Sequence, residues 1–332
     1  DPLSGHRFGP HTADVPVCGG YDGYVSVLES TPDVVVRFGA SPTSKPLRRY
    51  LRDSGARQFL VDPAGGWREA TFTATDLLVA DPTRVAAGLA DAVERDPGAF
   101  VAELAGLEAA YWSFVDGEEP PEGAVLADAI DLAPDPATVF VSNSMPVRDL
   151  DRFGRPREAE LTVLGNRGAS GIDGITSTAL GAGHGTDDPL VLVTGDLAYY
   201  HDMNGLLAVA RAGVDATIVC LNNDGGGIFH LLPIEDHDSF EGWFRTPHGL
   251  EFEHSAALYD LAFARTDDRS RFRELYAESV RADGTRVIEY RTDSRQNHDD
   301  RRELADRAAA ADIEPLVEWP AFEPVFEELK DV

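Results

Sequence analysis

Apolar positions along the chain follow two patterns in alternation. Short β-branched or apolar runs at 34–38, 58–62, 76–80, 138–141, 160–164, 190–194, 216–221 and 285–290 read as strands, most of them apolar on both faces. Between and after them lie stretches with helical spacing: 45–54, 82–95, 124–131, 175–181, 202–212, 256–264, 270–281 and 297–311. Strand and helix in turn predict an α/β chain built from two doubly wound parallel sheets. The first domain is expected over 1–104, opening on an irregular stretch (1–20). A hinge begins near residue 100, with a linker at 105–123 whose latter half is acidic and proline-rich, and a second domain is expected over 124–332.

Composition narrows the classes of partner. The net charge is −29 with a pI near 4.5, and the only lysines are Lys45 and Lys330. With 43% hydrophobic residues in periodic segments, an acidic disordered chain is excluded. The field disfavours nucleic acid and anionic membrane, and reads as a salt-adapted, halophile-like surface. Because the Debye length shrinks from about 30 Å at 0.01 M to about 3 Å at 1 M salt, the melting temperature should rise through a KCl series. A flat or falling melting temperature would contradict that reading. Cys18 and Cys220 are the only cysteines, too few for a disulfide framework or zinc site, and Cys220 falls inside a buried strand. No apolar run reaches the ~20 residues of a membrane span, and the opening residues form no signal-peptide pattern. A cytoplasmic location is expected.

The candidate chemistry lies at strand ends. The strand 190–194 ends in Gly195-Asp196, a helix at 202–212 is expected from Asp202 to the stop at Gly213, and the strand 216–221 ends in Asn222-Asn223. Carboxyl ends of parallel strands are where such sheets bind ligands. A carboxylate and a carboxamide beside the glycines Gly225, Gly226 and Gly227 are the hard oxygen donors that Mg²⁺ takes when it carries a diphosphate. Either piece alone reads as ordinary turn chemistry; the pair at this spacing reads as a site.

Gly195-Asp196-Leu197, followed after about two dozen residues by Asn222-Asn223, resembles the metal and diphosphate motif of thiamine-diphosphate enzymes, with Leu197 where the general pattern has glycine. That leucine, the block Asn222-Asn223-Asp224-Gly225-Gly226-Gly227-Ile228-Phe229-His230-Leu231-Leu232-Pro233, the block Ser142-Asn143-Ser144-Met145-Pro146-Val147-Arg148-Asp149 and the block 165–174 around Arg167 resemble one branch. It is that of the menaquinone-pathway 2-succinyl-5-enolpyruvyl-6-hydroxy-3-cyclohexene-1-carboxylate synthases. An acetolactate-synthase-like decarboxylase and a non-catalytic diphosphate-binding or regulatory subunit remain as alternatives.

The resemblance implies a carboligase (a transferase) that uses thiamine diphosphate and Mg²⁺ or Mn²⁺. It would decarboxylate 2-oxoglutarate and add the succinyl unit to isochorismate. The resemblance makes the first domain part of a central Rossmann-like domain and the second the diphosphate- and metal-binding domain. It assigns the metal to Asp196, Asn223 and the Gly225 carbonyl, and the cofactor to Gly195, Asp196, Leu197, Asn223, Gly225 and Ile228. Ile172 would support the bent cofactor. The two substrates, both dicarboxylates, would meet Ser144, Arg148 and Arg167, since guanidinium pairs bidentately with carboxylate. Phe229 and Leu232 would wall the substrate. Lys45 matches a family lysine that neutralises a substrate carboxylate, though it reads equally well as a surface lysine starting a helix. His230 stands where a serine is expected and is left outside the site. His237, His248 and His254 fit no zinc spacing, and 236–256 reads as a mobile acidic loop. The family's activating glutamate belongs to an amino-terminal pyrimidine-binding domain, and no glutamate here stands in a matching block. No catalytic residue is therefore expected in this chain, which is expected to be inactive alone, to need that domain as partner and to form a homodimer or homotetramer.

Overall fold

Every strand pairing among the described residues is parallel. The fold is therefore α/β, as the alternating pattern requires. The computed structural model describes residues 1–94 and 98–310; Arg95, Ala311 and the acidic tail 319–332, for which the sequence gives expectations, lie outside these. The chain divides into two units, residues 21–114 and residues 1–20 with 115–307.

The first unit runs α1 (Tyr21–Tyr24), β1 (Val34–Phe38), α2 (Lys45–Asp53), β2 (Arg57–Val61), β3 (Asp76–Leu78), α3 (Pro82–Ala92) and α4 (Ala99–Val115). Its sheet has the order β1-β2-β3. Helix starts follow local chemistry: the Ser44 and Asp81 side chains accept from Leu47 N and Arg84 N, and a proline follows each cap within the first two helical positions.

The second unit carries α5 (Pro121–Asp131), β4 (Ala137–Val141), α6 (Met145–Phe153), β5 (Leu161–Leu164), α7 (Ile175–His184) and β6 (Leu190–Gly195). It continues with α8 (Asp196–His201), α9 (Leu207–Ala212), β7 (Ala216–Asn222), α10 (Glu253–Leu258), β8 (Ala262–Thr266), α11 (Arg269–Ser279), β9 (Arg286–Arg291) and α12 (Ser294–Ala310). The sheet order is β5-β4-β6-β7-β9-β8. Side chains alternate across it. Val139, Val141, Val191, Val193, Val219 and Leu221 pack with α5, α6 and α11 on one face. Phe140, Leu190, Leu192, Ile218 and Cys220 pack with α7 and α8 on the other. Cys220 is a fully buried thiol whose pKa burial pushes up, in keeping with a core role. The chain leaves β4 for β5 on one side and returns to β6 on the other, which opens a crevice at the carboxyl ends of β4 and β6.

Several elements differ from expectation, each for a local reason. Residues 1–20 group with the second unit because buried Arg7 donates to the carbonyls of Leu150, Asp151 and Gly154 and to Asp151 Oδ1 (2.8–3.2 Å). The region from 100 is not a hinge but the helix α4, apolar on most sides, and the connection shortens to 116–120. The helix expected at 202–212 is a 3₁₀ turn (Met203–Leu206) running into α9, and the separate helix α8 precedes it from Asp196. Asp202 does not cap it but accepts from Ser177 N and Oγ at 2.6 and 3.0 Å, while Gly213 closes α9 in the left-handed region. The helix expected at 256–264 is α10 followed by the edge strand β8; Asp260 at φ +57° breaks it, and the strand's Ala-Phe-Ala-Arg-Thr hides its period. α6 follows directly on the Ser-Met-Pro turn, where proline sits in the first helical turn. No helix among the described residues is long and apolar enough to cross a membrane.

Candidate cofactor and metal site

Strand register brings the candidate groups to one level. Gly195 of β6 pairs with Leu221 of β7, so Asp196 stands opposite Asn222 with Asn223 one residue beyond. Asp196 and Asn223, 3% and 9% exposed, open on one cavity of about 440 Å³. Ser144, Arg148, Arg167, Ile172, Gly195 and Leu197 line it, together with Gly225, Ile228 and Phe229. Lys45 belongs to the other unit, and Leu232 is not among the lining residues. Lys45 is an exposed residue of the first unit, at the start of α2. Leu232 is 48% exposed and does not line the cavity, because the 3₁₀ turn Gly227–Leu231 ends before it and directs its side chain outward.

The Asp196 carboxylate is held before any ligand arrives. Oδ1 accepts from Leu197 N at 2.6 Å, and Oδ2 accepts from Gly225 N at 2.9 Å. His248 Nε2 lies 3.2 Å from Oδ2, while His248 Nδ1 accepts from Leu250 N at 2.9 Å, which puts the imidazole proton on Nε2 as the donor to Asp196. That hydrogen bond raises the His248 pKa against the opposing pull of burial. The acidic segment 236–256 packs against the site. Arg245 O accepts from Gly226 N at 2.7 Å, and Asp224 Oδ1 accepts from the amides of His248 and Gly249 at 3.0 and 2.7 Å. Phe244 meets Phe229 edge-on at 5.6 Å. This closeness explains Gly225: at φ +143° a Cβ would lie 2.1 Å from Arg245 O. A Cβ on Gly227 would come within 2.7 Å of Asn223 Nδ2.

A second carboxylate, Glu122 of α5, reaches the site from a region the sequence assigned to a linker. It is 1% exposed, and its Oε1 accepts from Asn223 Nδ2 at 2.7 Å and from Thr292 Oγ1 at 3.0 Å. Burial raises its pKa, against the attraction of Arg301. Its partners lie 101 and 170 residues away in the chain, so no spacing rule signals it. Asn143, to which the sequence assigns no role, holds the loop: its Nδ2 donates to the carbonyls of Asn166 and Gly171 at 2.9 and 2.6 Å, and its Oδ1 accepts from Arg167 at 2.8 Å. It thus ties the Arg167 loop to β4. Ser144, at φ +71°, accepts through its carbonyl from Arg148 at 2.5 Å. His230 is buried between Glu235 (2.7 Å) and Ser294 (3.3 Å), with His298 stacked on it.

The donor set fits a hard divalent cation. The buried Asn223 Oδ1 has no hydrogen-bond partner, a costly state that a metal ligand would relieve. No group of three His, Cys, Asp or Glu side chains among the described residues is arranged to hold a metal. Any ion here would therefore draw on amide and carbonyl oxygens as well as carboxylate.

Residues 151–290 match the family model "Thiamine pyrophosphate enzyme, C-terminal TPP binding domain". The chain is similar in sequence to proteins named 2-succinyl-5-enolpyruvyl-6-hydroxy-3-cyclohexene-1-carboxylate synthase. It is 75% identical to the synthase of Natronomonas pharaonis over 304 residues, 92% of this chain and 52% of that protein. Against the Haloarcula marismortui synthase it is 64% identical over 319 residues, 93% of this chain and 54% of the other. Against the Roseiflexus sp. synthase it is 44% identical over 325 residues, 95% and 55%. The chain thus spans about half the length of the curated relatives it matches.

Proposed function

We propose that this chain provides the diphosphate- and metal-binding part of a thiamine-diphosphate-dependent carboligase that joins the succinyl unit of 2-oxoglutarate to isochorismate in menaquinone biosynthesis. The observation that carries the reading is the cavity that Asp196 and Asn223 both line, with the buried Asn223 Oδ1 left without a hydrogen-bond partner. Asp196, Asn223 Oδ1 and the Gly225 carbonyl would hold Mg²⁺ or Mn²⁺ for the cofactor diphosphate. When bound, thiamine diphosphate supplies the carbon nucleophile and the electron sink for decarboxylative addition.

This chain's own residues orient the partners and exclude water. Ile172 and Ile228 give the cavity apolar walls beside the polar end, and Phe229, backed by Phe244, extends them. Ser144, Arg148 and Arg167 would present donors to substrate carboxylates, with Arg167 pre-set by Asn143. The amino-terminal pyrimidine-binding domain of the resemblance is the proposed partner. Exposed Trp243 (81%) and Leu231 (49%), in segments adjoining Phe244 and Phe229, are apolar surface suited to such a neighbour or to a homodimer or homotetramer.

The test is calorimetric titration of thiamine diphosphate with and without Mg²⁺, followed by turnover of the full-length protein with 2-oxoglutarate and isochorismate. Metal-dependent binding and carboligation support the reading; metal-independent binding, or no product, opposes it. Arg167→Leu removes a charge-assisted donor worth about 1.5–3 kcal/mol. It is expected to lower kcat/KM about 10–100-fold while leaving the cofactor Kd unchanged. A variant whose loss lies in the cofactor Kd would remove Arg167 from the substrate side.

A further inference from the structure

We infer that Glu122 is a positioning residue for the metal site, fixing the Asn223 carboxamide so that its oxygen, not its NH₂, is the group offered to the cation. The inference rests on the proposed assignment of Asn223 as a metal ligand. A carboxylate oxygen that already accepts from Thr292 Oγ1 cannot face another acceptor without repulsion, so the Asn223 group 2.7 Å from Glu122 Oε1 is Nδ2. The planar amide then carries Oδ1 away from Glu122, where no protein donor meets it.

The neighbouring residue shows the same device with a different end. Asn222 Nδ2 donates to buried Glu289 Oε1 at 2.6 Å, and its Oδ1 accepts from Asp224 N at 3.0 Å, closing the turn. Two consecutive carboxamides are therefore each held by a buried carboxylate. The protein satisfies the oxygen of Asn222 and leaves that of Asn223 for a ligand. Without Glu122, either face of the Asn223 amide would be free to turn inward, and an NH₂ directed at a cation repels it.

Glu122 is not simply a counter-ion for Arg301. Arg301 already makes a two-pronged contact with Asp149 at 2.5 and 2.8 Å, whereas its distance to Glu122 Oε2 is 3.8 Å. The Glu122 backbone amide is itself tied to Asn297 Oδ1 at 3.2 Å, which sets where its side chain begins. Carboxylates that orient metal ligands from behind typically contribute 10–100-fold in metal affinity.

Two variants separate orientation from charge. Glu122→Gln loses the charge but keeps an oxygen able to accept from Asn223. Glu122→Asp keeps the charge but withdraws its oxygens by about 1.5 Å, one carbon–carbon bond. Mn²⁺ binding to the full-length protein is followed by the electron paramagnetic resonance signal of the free ion, with thiamine diphosphate saturating. Melting of the metal-free proteins checks that both variants fold. Glu122→Asp should weaken Mn²⁺ binding about 10–100-fold, while Glu122→Gln retains most of it. The opposite order, equal losses or no change in either would overturn the inference. A wild-type protein that binds no Mn²⁺ would instead overturn the metal assignment on which it rests.

Discussion

Asp196→Ala is expected to abolish metal-dependent binding of thiamine diphosphate, weakening it at least about a hundredfold, or roughly 2.8 kcal/mol. Two effects add. The variant removes the only carboxylate in the proposed ligand set, and it releases Gly225 N and His248 Nε2, which Asp196 Oδ2 holds at 2.9 and 3.2 Å. The glycine turn then loses its tie to the end of β6. Asp196→Asn separates the two, since an amide oxygen still accepts from Gly225 N but offers the cation no charge. Calorimetric titration with Mg²⁺ should find Asp196→Asn intermediate. An Asp196→Ala protein that binds cofactor and metal as tightly as wild type would remove Asp196 from the site.

Arg301→Met should cost about 3–5 kcal/mol of stability, because breaking a buried ion pair leaves uncompensated charge. Asp149 is fully buried and, among the described residues, its two oxygens form an ion pair only with Arg301; Glu122 lies near the same guanidinium. The measurement is denaturant unfolding of wild type and variant at one KCl concentration. Adding Asp149→Asn to Arg301→Met should recover part of the loss, since the charge left behind is then gone. A single variant within about 0.5 kcal/mol of wild type, the usual range for surface changes, would show that the pair carries no such penalty.

The sheet of the second unit was legible because its central strands are apolar on both faces and end in recognisable chemistry. The runs 190–194 and 216–221 appear as β6 and β7 with one added residue at each carboxyl end. The edge strand β8 was hidden, since half-exposed Ala-Phe-Ala-Arg-Thr shows neither a buried run nor clean alternation. The helix α4 was missed for the opposite reason: apolar residues on nearly every side erase the periodicity that signals an amphipathic helix.

The site divides in the same way. Groups at strand ends, such as Asp196, Asn223 and the Arg167 loop, carry local motifs and meet at one cavity. Groups that support them come from distant segments and carry no motif. Glu122 follows two prolines in what looks like a linker, and His248 lies in an acidic loop whose fold depends on Asp224 and Gly226. Spacing along the chain reports groups that share an element, and it is silent on contacts made across the fold.

The most direct measurement is an anomalous difference map from crystals of the full-length protein grown with Mn²⁺ and thiamine diphosphate. The account predicts one peak about 2.0–2.2 Å from an Asp196 carboxylate oxygen, Asn223 Oδ1 and the Gly225 carbonyl, with diphosphate oxygens and water completing the octahedron. A cofactor bound with its metal on other residues, or an Asn223 amide turned with Nδ2 toward the ion, would contradict it.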